Sequence, residues 1–386
     1  VASVDKRPNG QYRARWREFP GGPQKTRQFA RKVDAERFLV EIQHRILSGS
    51  YTPPEAGRIT VEAYSVEWRR RRTWAPATED RIEREFRLHI IPKLGARPLA
   101  SLRRAHIEEW VKALPLAPSS ACMVYETLSN MLSAAVDDER IARNPAKGAK
   151  LPEAHEVPFV PLEVDEVREI AHAAPDHIRA AVVVDAGTGL RQGELFGLTI
   201  DRVDFMRREM RIDRQLWTPK AGPAFLKALK SKNSYRTIAL SSIVLDALSA
   251  HIATYGPGRD GLVFHYEGRP IVRAQAATHM RRTTKRADAA AEKRAAGARA
   301  AGVKSDDLSV RTPLVGHTWH DLRHHHASVL LSEGVSPALV AERLGHDLKT
   351  LLTTYAHVIR KDEDRVRAIV DATLGGSAEG WLTATA

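Results

Sequence analysis

The chain has 386 residues, 43% of them hydrophobic, and its 60 Lys and Arg against 47 Asp and Glu give a formal charge of +13. That is chain enough for two or three domains with proper cores, which excludes a disordered tail, and the basicity points to a polyanionic partner, nucleic acid first, with a solubility surplus as the alternative. The single cysteine, Cys122, excludes an internal disulfide and a thiolate zinc cluster, and there is neither a membrane-length apolar run nor an apolar leader at the N-terminus, so a reducing cytoplasm is expected.

From Gly10 onward Tyr12, Ala14 and Trp16 alternate with Arg13, Arg15 and Arg17, the period-two pattern of a half-buried strand with one apolar and one cationic face. Pro20-Gly21-Gly22-Pro23 turns the chain into a second strand at 24–29, and Phe38, Leu39, Ile42 and Ile46 recur at helical spacing. Residues 1–50 therefore read as a small sheet plus one helix, whose three arginines either enter a DNA groove and track phosphates or form a solvated face. The segment 48–57, with Pro53-Pro54 inside it, reads as a linker.

Helix-period apolar residues then fill 59–74, 76–90, 105–114 and 119–140, interrupted at Ile91-Pro92 and at 115–118. The expectation is a helical bundle over 58–148, with Arg69, Arg70, Arg71 and Arg72 at the end of its first helix as a phosphate contact or a solvated face. After a second proline-bearing linker at 149–161, the largest domain spans 157–375 and a tail follows at 376–386. Helices at 162–174, 178–186 and 194–198 precede strands at 209–216, 236–240 and 263–264; helices resume, and 281–310 is basic and alanine-rich, helical or partly disordered.

Five short pieces of this last domain stand out: Thr188-Gly189-Leu190-Arg191-Gln192-Gly193-Glu194, Lys230-Ser231-Lys232, His320-Asp321-Leu322-Arg323-His324, Leu344-Gly345-His346, and Tyr355, nine residues beyond His346. Each alone is common; their order and spacing resemble the tyrosine recombinase (phage integrase) family over about 159–370. Looser similarity at 89–95 and 141–145 resembles the core-DNA-binding domain of integrases. The resemblance implies a mainly helical multidomain protein: an N-terminal sheet-plus-helix module that binds arm-type DNA sites, a helical core-binding bundle, and a mixed α/β catalytic domain.

Direct attack on a phosphodiester needs a nucleophile, cations that hold the non-bridging oxygens, and an acid for the departing 5′ oxygen. Tyr355 suits the first role if its phenol, ordinarily of pKa about 10, is helped to lose its proton. Arg191 and Arg323 suit the second, because a guanidinium donates in fork geometry and keeps its charge. The resemblance adds His320 as a donor or general base at the same phosphate, His346 as a donor to a non-bridging oxygen, and a lysine between two strands as the acid. Lys230 matches that lysine best among Lys227, Lys230 and Lys232, with Lys232 the choice if the turn is shifted by one. Glu194, one turn after Arg191, either orients it or forms a surface ion pair.

The run His324-His325-His326 invites a metal site, but successive helical residues point about 100° apart, so no metal is expected, and His324 is read as packing under the active site. The reaction implied consumes no ATP and needs no cofactor. Expected partners are double-stranded DNA attachment sites, three further copies of the chain in a tetramer, and a DNA-bending host factor with an excisionase, in a bacterial cytoplasm. A conjugative-element or plasmid integrase, a type IB topoisomerase and a DNA-binding protein without catalysis are the alternatives.

Overall fold

The structure is a computed structural model that describes residues 2–19, 21–47, 56–153, 159–219, 222–300, 312–359 and 363–375. Residues 48–55 of the first expected linker, 154–158 of the second, the stretch 301–311 and the tail 376–386 lie outside the described residues. The chain divides into two compact units, Val1–Glu156 and Val157–Ala386.

The first unit opens with three antiparallel strands rather than two: β1 (Ser3–Lys6), β2 (Tyr12–Arg17) and β3 (Gln24–Phe29), in that order, with Val4 opposite Ala14 and Trp16 opposite Lys25. β1 escapes sequence reading because Ser-Val-Asp-Lys carries one apolar residue. Helix α1 (Lys32–Leu47) covers the apolar face, bringing Ala35, Leu39 and Ile42 onto Ala14 and Trp16, with Trp16 edge-on to Phe38 at 5.2 Å.

A separate core in the same unit is built by α2 (Val61–Arg70), α3 (Pro76–Glu85), α4 (Ile91–Leu94), α5 (Arg104–Lys112) and α6 (Pro118–Asp137) around Tyr64, Phe86, Ile90, Ile107, Leu128 and Met131. The expected break at Ile91-Pro92 is absent. A π-helical turn at Phe86–Ile90 joins α3 to α4, its wider hydrogen bond running from the Ile91 N–H to the Phe86 carbonyl. That register leaves the missing N–H of Pro92 without cost, since it lies in the first turn of α4.

The second unit is organised around α8 (Asp176–Thr188), which packs against α7 (Val164–Ala173), α10 (Ser242–Tyr255) and α12 (Trp319–Ser332). Between α9 (Gln192–Leu195) and α10 lie two small antiparallel sheets, β4 (Val203–Asp204), β5 (Glu209–Ile212) and β8 (Arg236–Ala239) in one, β6 (Arg214–Trp217) and β7 (Phe225–Ala228) in the other. The single strand expected at 209–216 is thus two, split at Asp213, whose carboxylate accepts from Arg202 and Arg214, both at 2.8 Å. Val263 and Phe264 are fully buried but not a strand; the hairpin β9 (His265–Tyr266) and β10 (Arg269–Pro270) follows them. Helix α11 (Arg273–Ala300) starts earlier than the basic segment suggested. Helices α13 (Pro337–Leu344), α14 (Leu348–Ile359) and α15 (Glu363–Leu374) complete the unit. No helix among the described residues is long and apolar enough to cross a membrane.

Candidate active site

Two left-handed glycines frame the site. Gly189, at φ +65°, ends α8, and a Cβ there would stand 2.7 Å from Leu344 and 2.8 Å from His326. Gly345, at φ +64°, ends α13, and a Cβ would approach the Asn233 carbonyl to 3.0 Å. Because the helices stop here, their terminal carbonyls are left for side chains. Arg323 donates to the Gly189 and Leu344 carbonyls at 2.6 and 2.7 Å. Arg191 donates to the Gly345 carbonyl at 2.6 Å.

Arg191 stands at the N-terminal end of α9, where the Glu194 carboxylate accepts its backbone N–H at 3.0 Å and its guanidinium at 2.9 Å. Glu194 is 2% exposed, so it is not half of a surface ion pair. Its other partner is Arg236, which donates to it at 2.8 and 3.3 Å and to the Arg343 carbonyl at 2.6 Å. Burial alone would raise the Glu194 carboxyl; Arg236, then Arg191, hold it below its ordinary value. Arg236 thereby ties strand β8 to both α9 and α13. In the sequence this arginine is only the first residue of the strand expected at 236–240.

Thr318 caps α12 and sets its first two turns, accepting the His320 N–H at 3.2 Å. Arg323, on the second turn, is fully buried, and its third contact is His346 Nε2 at 2.8 Å. Burial and the nearby Arg191 lower its pKa to about 10, which still leaves it charged at neutral pH. Since an arginine only donates, His346 Nε2 must accept and its proton sits on Nδ1, a buried atom with no hydrogen-bond partner among the described residues. Burial, then Arg323 and Arg191, lower the His346 pKa to about 4, so the ring is neutral and Nδ1–H is a donor in waiting. His320 is lowered by burial and then by Arg323 and Arg191.

Tyr355 faces inward from α14 one turn after the buried Leu351 and is 1% exposed. Burial pushes its phenol up to about 12 against the opposing charge of Arg323. The three consecutive histidines diverge: His324 Nδ1 meets the Tyr355 hydroxyl at 2.8 Å, His325 the Leu162 carbonyl at 2.5 Å, and His326 the Ala186 carbonyl at 3.0 Å. His324 therefore does more than pack beneath the site. Its signal in the sequence was its place one turn after His320 on the same helical face.

Lys230 and Lys232 are exposed in the connection from β7 to β8, which reaches the site through Asn233 and Ser234 beside Gly345. The remaining candidates lie in the first unit. Arg13 and Arg15 share Asp5, each with a contact of 2.8 Å, and Arg17 donates to the Gly22 carbonyl, so the cationic face is part-neutralised. Those two arginines lower the Asp5 carboxyl to about 2. Arg71 pairs with Asp138, while Arg69 and Arg72 lie over the Phe86 and Trp68 rings at 5.4 and 5.8 Å; Arg70 is exposed.

The model of the phage integrase family matches residues 161–361, and that of the phage integrase N-terminal SAM-like domain matches 60–114. The chain is 25% identical over 350 residues to a prophage phiRv2 integrase of Mycobacterium tuberculosis, covering 89% of this chain and 87% of that one. Its fold is similar to the Tn1549 transposon integrase in complex with a circular intermediate DNA, at TM-score 0.67 and 21% identity over 80% of this chain and 99% of that one. It is also similar to the lambda integrase in a tetramer bound to a Holliday junction, at TM-score 0.54 and 17% identity over 89% and 95%.

Proposed function

The chain belongs to the phage integrase family and is a site-specific tyrosine recombinase, and from that premise we propose that Tyr355 is its nucleophile and that Arg191, Arg323 and His346 hold the phosphate it attacks. The observation that carries this reading is the convergence of both guanidinium groups on the carbonyls that end α8 and α13, with His346 Nε2 on Arg323 and Tyr355 close enough to feel the Arg323 charge. Preorganised donors of this kind stabilise charge as it builds on a phosphorane without reorganisation.

The Tyr355 oxygen bonds to phosphorus, the bond from phosphorus to the 5′ oxygen breaks, and Lys230 protonates that oxygen, with Lys232 the alternative. A 3′-phosphotyrosine keeps the bond energy until a 5′-hydroxyl of the partner duplex reverses the step, so no ATP is consumed. His346 Nδ1–H donates to a non-bridging oxygen, His320 donates beside it or acts as a base, and Glu194 orients Arg191.

The substrate is double-stranded DNA carrying attachment sites, bound by residues 1–50 as an arm module and 58–148 as a core-binding module, with 157–375 catalytic. Arg13, Arg15, Arg17 and the Arg69 to Arg72 block contribute to that footprint; a cleft of about 590 Å³ lined by Arg103, Arg104, Arg140 and Arg143 adds further phosphate ligands. Four protomers exchange strands at a Holliday junction, assisted by a DNA-bending host factor and an excisionase in a bacterial cytoplasm, and integrate or excise a phage or mobile element.

The test is single-turnover cleavage of attachment-site DNA. Tyr355→Phe is expected to bind within about threefold of wild type and to form no covalent adduct, since only one hydroxyl is removed. An adduct with that variant means that another residue is the nucleophile.

A further inference from the structure

We propose that His324 is the general base that takes the phenol proton from Tyr355 as the tyrosine attacks phosphorus, an inference that rests on the reading of Tyr355 as nucleophile.

Among the described residues, His324 Nδ1 is the ring nitrogen within hydrogen-bond distance of the Tyr355 hydroxyl, at 2.8 Å. Two further rings hold the half-buried imidazole. Phe159 stacks on it at 4.3 Å and also meets the Tyr355 ring edge-on at 5.5 Å. His320, one turn earlier on α12, packs edge-on against it at 4.5 Å. The Arg323 charge acts on both His324 and Tyr355, and His324 Nδ1 meets the Tyr355 hydroxyl, so a phosphate held by Arg323 and approached by the Tyr355 oxygen has this nitrogen on the attacking oxygen. His320 makes no hydrogen bond to Tyr355 among the described residues, and in this arrangement it is left to serve the phosphate.

The proton balance decides between a base and a mere prop. Burial, then His320 and Arg323 against the opposing Asp321, bring the His324 pKa to about 4, while the buried phenol lies at about 12. Full transfer before attack is therefore steeply uphill, and the resting tyrosine stays protonated and unreactive. As the Tyr355 oxygen bonds to phosphorus its own basicity collapses, and the proton passes to a neutral imidazole that is already aligned. The bond that forms is from the Tyr355 oxygen to phosphorus, and the bond that breaks is from phosphorus to the 5′ oxygen. The phenol proton goes to His324 Nδ1, and the leaving oxygen takes its proton from the separate acid. On religation His324 returns its proton to the departing phenolate.

The test uses full-length protein, attachment-site DNA and the same DNA with a bridging 5′-sulfur at the scissile position, a leaving group that needs no acid. His324→Asn keeps an acceptor near the Nδ1 position but cannot take a proton at neutral pH. It is expected to bind DNA as wild type does and to cleave about a hundredfold or more slowly, with no rescue by the bridging sulfur. Cleavage within about threefold of wild type, or faster than wild type, overturns the proposal, because a prop or a restraint would behave so. Tyr355→Phe is run beside it: an adduct there defeats the nucleophile reading, whereas an inactive Tyr355→Phe with an active His324→Asn defeats this inference alone. Should His324→Asn fail to fold, wild type on the sulfur substrate decides. Only the nucleophile's proton is then in flight, so a solvent deuterium isotope effect above one is expected, and its absence rules the base out.

Discussion

Glu194→Gln is the substitution whose cost the structure sets most directly. The carboxylate is 2% exposed and accepts the Arg191 backbone N–H, the Arg191 guanidinium and two nitrogens of Arg236, whose own side chain is 4% exposed. An amide of the same shape keeps one acceptor oxygen but turns an NH2 group toward an arginine and leaves Arg236 buried without a counter-charge. Breaking one partner of a buried pair costs about 3–5 kcal/mol, and the retained oxygen argues for the lower end, about 3 kcal/mol, or roughly a hundredfold in the folding equilibrium. Because the folded pKa of Glu194 is depressed, its contribution is complete above the ordinary carboxylate value of 4.5 and is lost as pH falls through the lower folded value. The gap between wild type and variant should therefore be full at pH 7 and shrink in strong acid. Urea unfolding followed by the second unit's buried Trp319 measures it. Adding Arg236→Met should recover part of the loss, since an apolar replacement for both partners removes the stranded charge. A Glu194→Gln protein as stable as wild type at pH 7, or a loss that grows in acid, refutes this account of the network.

Gly345→Ala should lower stability by about 1–3 kcal/mol and slow cleavage, because the position needs φ +64° and the added Cβ meets the Asn233 carbonyl at 3.0 Å; thermal melting and single-turnover cleavage read both. Asp5→Ala should release Arg13 and Arg15 and steepen the salt dependence of arm-site binding by about one counterion, measured as the slope of log Kd against log salt; an unchanged slope means that those arginines stay off the phosphates. Lys230→Ala should be slow on ordinary DNA and close to wild type on the bridging 5′-sulfur substrate. The same pattern from Lys232→Ala instead would transfer the acid role to that residue.

Much of the site was legible in the sequence because its chemistry rests on residue type and order. The glycines beside Arg191 and His346 mark helix ends, and helix ends are where free carbonyls gather arginines. What the sequence hid depends on partners far along the chain. Arg236 finds Glu194 across 42 residues and His324 finds Tyr355 across 31, and neither distance leaves a periodic trace. The same holds for Asp5, which turns an apparently open arginine face into a part-neutralised one. In the fold, strong amphipathic helices such as α1 and α6 were readable. The splits and joins were not, because Asp213 and the π turn before Pro92 act through local hydrogen bonds that hydrophobic patterning does not register.

The central claim is tested most directly by trapping wild-type protein on attachment-site DNA, digesting both components and identifying by mass spectrometry the peptide that carries the nucleotide. The account predicts a 3′-linked nucleotide on Tyr355 and on no other residue. A nucleotide on a different side chain, or a 5′ linkage, would contradict it.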